Sequence, residues 1–347
     1  MLILRGCTWL HAPPFRSRPP SRVRCSYVPM ATSVRIAIVG DIHNDWNLEE
    51  DTKALQLLKP DLVLFTGDFG NENVDIVRSV SNLDFATAVI LGNHDAWKTR
   101  KFAPKDSLVV YWLPIRICCE LDSVPVILGN HDAWKTRKFA PKEKDAVQLQ
   151  LEYLGEAHVG YRRLDFPNFK LSIVGGRPFS CGDHSVIFLA HNGPTGLGSN
   201  VDDICGRDWV PEGGDHGDPD LAVALSQLKA STKLPIKLVV FGHMHKELAY
   251  GKGVRKMIVV GDDSTVYLNG AVVPRIKTIS NEEQVSHISS EMSSAIASDF
   301  KGTLRSFTIA DIVDGNLEKV SETWVLVIKD MVKIENEVIL FNKAAKM

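Results

Sequence analysis

The chain has 347 residues, 44% of them hydrophobic, enough for one large domain with a full core or for two small ones. Its formal net charge of −2 argues against broad electrostatic binding to nucleic acid or to an anionic membrane. Six cysteines without paired spacing speak against a disulfide framework or a zinc knuckle, and no apolar run is long enough to span a bilayer.

Residues 1–30 differ from the rest. They carry Arg5, Arg16, Arg18, Arg22 and Arg24 without one Asp or Glu, and Pro13, Pro14, Pro19 and Pro20 exclude a long helix. A basic, acid-free leader of this kind reads as an organelle transit peptide. A chloroplast is the expected destination, with mitochondrion or cytoplasm as alternatives. The folded domain is expected over 34–345.

From Val34 onward, short apolar runs end in polar tips. Val34–Val39 ends at Gly40-Asp41, with His43 two residues on. A helix is predicted over Leu48–Leu58, closed by Pro60. Leu62–Phe65 ends at Gly67-Asp68. A crossover helix over Val74–Val80 leads to Val89–Leu91, which ends at Gly92-Asn93-His94-Asp95. Another helix is predicted over Glu143–Leu154, and Leu171–Val174 reads as a strand. Val186–Ala190 ends at His191, and Leu238–Phe241 ends at Gly242-His243-Met244-His245. Continuously apolar runs separated by helices predict a parallel sheet covered on both faces. After Met257, the runs Met257–Val260, Thr265–Leu268, Ala271–Val273, Leu304–Ile312 and Trp324–Ile328 predict a second, more antiparallel sheet. Asn281–Gly302 is polar and serine-rich and reads as a loop or loose surface helix.

Ligands in open α/β sheets bind beyond the carboxyl ends of the strands. Asp41, His43, Asp68, Asn93, His191, His243 and His245 all fall there. Oxygen and imidazole donors without thiolates suit Mn, Fe or Zn. In Asp-x-His and His-x-His the alternate residues share a face. Two cations ~3.5–4 Å apart would clamp a phosphate and acidify a shared water. Each motif alone is an ordinary turn or a weak signal. Five in this order, each behind an apolar strand, point to a dinuclear metal centre.

These motifs, Gly40-Asp41-Ile42-His43, Gly67-Asp68, Gly92-Asn93-His94-Asp95, His191 and Gly242-His243-Met244-His245, resemble the calcineurin-like metallophosphoesterase superfamily. Gly175–Phe179, His191–Gly198, Cys205–Trp209 and Asn269–Pro274 make the chain similar to a cyanobacterial and plant plastid branch. The likeness covers about Val34 to Ala310. It implies an α/β fold, a four-layer α/β/β/α sandwich of two mixed sheets, the metallophosphatase fold. It implies hydrolysis of a phosphomonoester or phosphodiester through two divalent or trivalent metal ions (Mn, Fe or Zn) and a metal-bound hydroxide. Asp41, His43 and His245 would hold the first metal, and Asn93, His191 and His243 the second. Asp68 would bridge them, and His94 would contact the phosphoryl oxygen and serve as acid. Arg177 is a further candidate for holding substrate phosphate. A small phosphorylated substrate is the expected partner, with no membrane and no nucleic acid; the oligomeric state is left open. Relatives carry further Asp and Arg after Gly-Asp, where this chain has Phe69-Gly70-Asn71-Glu72, so the acidic partner of His94 is open between Asp95 and Glu72.

Two stretches break the pattern. Val89–Lys105 recurs letter for letter as Val126–Lys142, a duplicated insert near 89–142 that offers Asn130 and His131 as a second copy of the Asn-His tip. The first copy is preferred, because it follows Gly67-Asp68 through a short connection. Between Leu171–Val174 and Val186–Ala190 there is too little chain for a helical crossover, so these strands are expected to form a hairpin or to be displaced. The two disturbances suggest a splice variant with impaired activity. The rival reading is a binding scaffold that keeps the fold without catalysis.

Overall fold

A computed structural model describes residues 33–97, 146–160, 163–166, 169, 171–175, 185–231, 236–251, 253–279 and 302–346. The leader, Asn130, His131, Arg177 and the polar stretch 281–300 lie outside the described residues.

Strand β1 (Ser33–Val39) lies in the middle of the first sheet, parallel to β2 (Leu62–Phe65) and antiparallel to a long late strand. From Ile36 onward its two faces are both buried, as the apolar run Ile36–Val39 requires, while Ser33 and Arg35 are exposed. Ile36 and Ile38 face one core, and Ala37 and Val39 another. Helix α1 (Leu48–Leu58) has the expected limits. Asn47 caps it by accepting from the Glu50 N–H (3.1 Å), and three acidic residues occupy its first turn. The chain leaves it at Lys59 in a left-handed conformation, before Pro60. Helix α2 (Val74–Ser81), capped by Asn73, leads to β3 (Thr87–Val89), parallel to β2. Strand β3 lies two residues earlier than predicted. Its last pairing with β2 is Val89 with Phe65, beyond which β2 turns into its tip. Helix α3 (Ala146–Leu154) follows.

The second sheet is built from the middle of the chain. It comprises β4 (Arg163–Phe166), β5 (Leu171–Gly175), β6 (Ser185–Leu189), β7 (Ile236–Phe241), β8 (Ile258–Val260) and β9 (Val266–Asn269), in the order β4-β5-β6-β7-β9-β8. Its four inner strands are parallel, with antiparallel edges. Helix α4 (Pro219–Ser231), which the sequence pattern did not reveal, connects β6 to β7. Its signal was present: Asp218 Oδ1 accepts from the N–H groups of Asp220 (2.8 Å) and Leu221 (3.2 Å), with proline at the first helical position.

The expectation of a separate antiparallel sheet after Met257 is corrected. Strands β8 and β9 complete the second sheet. The remaining late strands, β10 (Ile276–Thr278), β11 (Thr303–Val313), β12 (Asn316–Ile328) and β13 (Met331–Asn342), extend the first, in the order β13-β12-β11-β1-β2-β3 with β10 on β11. Ala271–Val273 is not a strand. The N–H groups of Val272 and Val273 bond to the carbonyls two residues back, which coils the backbone out of any ladder. The hairpin expected of β5 and β6 is also corrected, since they pair in parallel from Leu171 with Ser185 to Gly175 with Leu189. A link that returns along a five-residue strand must cover only ~15 Å, well within the reach of ten peptide steps without a helix.

Three apolar clusters give the layer order. One lies between the sheets, joining Ile36, Ile38 and Leu64 to Ile187, Leu238 and Leu268. A second packs the outer face of the first sheet against Leu55 of α1 and Val77 of α2. The third packs Phe188, Val239 and Phe241 against Leu221 and Leu225 of α4. The fold is a four-layer α/β/β/α sandwich of two mixed sheets.

Candidate metal centre

The carboxyl ends of β1, β2, β3, β6 and β7 open on one place. Two groups of three side chains form there, Asp41 with His43 and His245, and Asp68 with His191 and His243. In each the potential ligand atoms lie within 4.8 Å of one another. Backbone bonds lock the tips together: His43 N–H donates to Asp68 O (2.8 Å), and Gly242 N–H to His191 O (2.8 Å). Asp41, His43, Asp68 and His243 all have positive φ, between 44° and 68°. Asp and His tolerate this better than most residues, and such strain concentrates where a side chain must be aimed. Two glycines make room. A Cβ on Gly92 would stand 2.3 Å from Asp68 Oδ1, and one on Gly242 would stand 2.3 Å from Asp41 Oδ1.

In the first group, Asp41 is 1% exposed. Its Oδ1 accepts from His243 N–H (3.0 Å). Its Oδ2 is buried without a hydrogen-bond partner. That oxygen lies 3.4 Å from His245 Nε2 and 3.9 Å from His43 Nε2, and the two ring nitrogens are 3.0 Å apart. Burial pushes the Asp41 carboxyl up, but His245, His191 and the His243 N–H outweigh it and hold it below its ordinary value. Burial lowers His43, only partly offset by Asp41 and Asp68.

In the second group, Asp68 Oδ2 lies 3.5 Å from His191 Nε2 and 4.0 Å from His43 Nε2, so this carboxylate faces both groups. His191 donates from Nδ1 to Thr66 O (2.8 Å), which turns Nε2 toward the centre, 2.8 Å from Asn93 Oδ1. Burial works against a charge on His191, but Asp68 and Asp41 together raise it above its ordinary value. A cation between Nε2 and Asn93 Oδ1 would take the place of that proton. His243 is pushed down to about 3, first by burial and then by His191, so its lone pair stays available. The orphaned Asp41 Oδ2, the facing Nε2 and amide oxygen, and the absence of sulfur from the set fit a pair of borderline or hard cations.

His94 sits beside both groups. Its backbone N–H donates to Asp68 Oδ1 (2.8 Å), and its ring is 4.9 Å from that of His43 and stacks on Trp97 at 4.7 Å. Asn71 holds the ring, with its Oδ1 2.7 Å from His94 Nδ1. Asp95 is spent on backbone: its carboxylate takes the N–H groups of Asp68 (2.9 Å), Phe69 (2.9 Å) and Gly92 (2.8 Å). Glu72 meets His94 through its backbone N–H, which donates to the His94 carbonyl (3.0 Å).

Two supports went unread. Buried Asn269, at the end of β9, donates to Met244 O (2.6 Å) and accepts from Ala271 N–H (2.9 Å), bracing the His243–His245 turn. Buried Arg255 donates to His245 O (2.9 Å) and to the carbonyls of Asp203 and Gly206 (2.7 Å each), and pairs with Asp208 (3.2 Å). Asp203 and Asp208 are thereby structural, Asp203 also pairing with Lys256 (2.8 Å). The Asn269-Gly270 motif was visible in the sequence, whereas nothing marked Arg255.

The layer order and the two triads define the class, a metallophosphatase-type fold. Residues 34–125 match the family model described as calcineurin-like phosphoesterase, so this part of the chain carries that family's signature. Among solved structures, a dimetal phosphatase from Danio rerio is similar at 8% identity and TM-score 0.37, over 89% of this chain and 99% of its own. A hypothetical protein from Thermus thermophilus is similar at 12% and 0.37, over 87% and 100%. GAP50, the anchor in the inner membrane complex of Plasmodium, is similar at 12% and 0.35, over 90% of each chain. No curated protein matches the chain. Among the described residues no helix is long and apolar enough to cross a membrane.

Proposed function

We propose that this chain is a metal-dependent phosphoester hydrolase acting on a small phosphorylated substrate. The observation that carries the reading is the position of Asp68, whose Oδ2 faces His191 of one triad and His43 of the other. One ion would be held by Asp41, His43 and His245, the other by Asn93, His191 and His243, with Asp68 shared. When bound, such a pair polarises the phosphoryl group and lowers the pKa of water. The family signature over residues 34–125 supports this chemistry.

The remaining work falls to the protein. His94 is fixed at both ends, by Asp68 at its backbone and by Asn71 at Nδ1. That leaves Nε2 to contact the phosphoryl oxygen and hand a proton to the departing oxygen. The burial of Asp41 and Asp68 keeps water from screening them. The first copy of the Asn-His tip is assigned this work, a choice supported by Asn93 Oδ1 lying 2.8 Å from His191 Nε2 and by the His94 ring lying 4.9 Å from that of His43. Arg177 is carried forward as a second phosphate contact, and the basic leader as a plastid address that an import assay would test.

A phosphate-release screen across phosphorylated metabolites with added Mn²⁺ tests the activity, run beside Asp68→Asn. Turnover by the natural chain, lost by roughly 10²-fold or more in the variant, is expected. Folded, metal-loaded protein with no turnover on any substrate would leave the binding scaffold as the better reading.

A further inference from the structure

The loop between β6 and α4 brings a cation and an indole to the His243 side of the centre. It is clamped there, since Asn192, next to His191, donates from Nδ2 to His216 O (2.8 Å), and His216 N–H donates to Cys205 O (2.8 Å). The His216 ring stacks on His243 at 5.5 Å and 22°. Trp209 meets His216 edge-to-face, at 4.9 Å and 89°. Trp209 thus stands one ring beyond His216, and His216 one ring beyond a metal-ligand candidate. With 46% of its surface exposed, Trp209 offers an indole face to solvent in a loop that is otherwise tightly bonded.

Arg207 lies in the same loop. Its backbone N–H donates to Gly214 O (2.8 Å), and its guanidinium lies over Gly214 so closely that a Cβ there would stand 2.7 Å from Nε. Gly214 has φ +116°, so the contact is reserved for glycine. Arg207 Nε is buried without an acceptor, and among the described residues no carboxylate or carbonyl pairs with the guanidinium. Its neighbour Arg255 shows the contrast, with four backbone carbonyls and Asp208 as partners. The loop supplies acceptors to one arginine and none to the other. A cation held in place without an acceptor, in the loop whose His216 stacks on His243, calls for an anion from the ligand.

We propose that Arg207, Trp209 and His216 form the subsite for the leaving half of a nucleoside diphosphate. The base stacks on Trp209, the inner phosphate takes Arg207, and the outer phosphate lies at the two triads. This rests on the phosphoester reading above and names its substrate class. The step is hydrolysis: the oxygen of water bonds to the outer phosphorus, and the bridging oxygen leaves with its electron pair and takes a proton. The products are a nucleoside monophosphate and orthophosphate.

The test uses the full chain with adenosine 5′-diphosphate and p-nitrophenyl phosphate as paired substrates. In Arg207→Met and in Trp209→Leu, the ratio of kcat/KM for the nucleotide to that for the nitrophenyl ester falls about tenfold or more. A second arm measures adenosine 5′-diphosphate binding by fluorescence quenching, with Mn²⁺ and with EDTA. Quenching shrinks in Trp209→Phe, and Kd rises about tenfold in Arg207→Met. An unchanged ratio with turnover intact, or equal or absent nucleotide binding in all the proteins, would overturn the subsite. Nucleotide binding that depends on Arg207 without turnover of either ester would instead overturn the hydrolase and leave the subsite standing.

Discussion

Gly92→Ala adds one methyl group where the tip of β3 passes the centre. The new Cβ would stand 2.3 Å from Asp68 Oδ1, 2.6 Å from His191 Cε1 and 2.7 Å from Asp68 N. Ordinary contacts need ~3.5 Å, so something must give by about 1 Å. Asp68 cannot retreat alone. Its N–H is bonded to Asp95 and its Oδ1 to the His94 N–H, so it drags the phosphoryl-contacting histidine with it. A displacement of ~1 Å at a reacting constellation costs on the order of 10²-fold in rate, about 2.7 kcal/mol of barrier. We therefore expect kcat/KM for a phosphoester to drop about 100-fold and the second Mn²⁺ to bind more weakly. Titration calorimetry reads the metal independently of turnover. Gly155→Ala is the control for an added methyl without a clash, since nothing lies within 4 Å of its Cβ position, although Gly155, unlike Gly92, has positive φ (49°). It should cost about 1 kcal/mol of stability and leave metal binding alone. If Gly92→Ala bound two Mn²⁺ as tightly as the natural chain and lost less than about threefold in rate, the packing argument would be refuted.

Burial pushes the Asp95 carboxyl up to about 7, against the pull of the Gly92 N–H, so the folded metal-free protein holds that proton more tightly than the unfolded chain. Its contribution is full below the ordinary carboxylate value and is lost as pH rises through 7, by up to about 4 kcal/mol. Urea titrations in EDTA between pH 4 and 8 should show this fall, and Asp95→Asn should flatten it. Burial pushes the Cys205 thiol up to about 12, so iodoacetamide at pH 8 should spare this residue in the native protein and modify it after denaturation, as peptide mass spectra would show. Chelation should abolish phosphate release and lower Tm, with Mn²⁺ restoring both; 100 Kd of free metal stabilises by about 2.7 kcal/mol per site.

The candidate ligands were legible because each follows a largely apolar run, and a strand buried on both faces can stop only where its sheet meets solvent. Helix α1 was legible at both limits because Asn47 and Pro60 are chemical stops. Strand partnership was not legible. A run such as Met257–Val260 states that it is buried but not against which neighbour, so the late strands were gathered into one sheet when the chain divides them between two. Strand β13 was missed because it is an edge: Ile334, Asn336, Glu337 and Val338 are exposed, and the mixture of polar and apolar residues hid it among loop sequence.

The supports of the site escaped for a different reason. Asn71, Asn269 and Arg255 act on a ring nitrogen or on backbone carbonyls brought near by folding, and no spacing between residues encodes such a meeting. Asp95 shows how far this goes. A motif residue adjacent to His94 looks like its partner, yet its side chain gathers three N–H groups from two strand tips and never reaches the ring. By tying β2 to β3, it fixes the distance between Asp68 and the Asn93-His94 pair. The motif therefore encodes both the donors and part of the clamp that spaces them. A change at Asp95 should act on metal binding through position, though the side chain itself touches neither triad's centre.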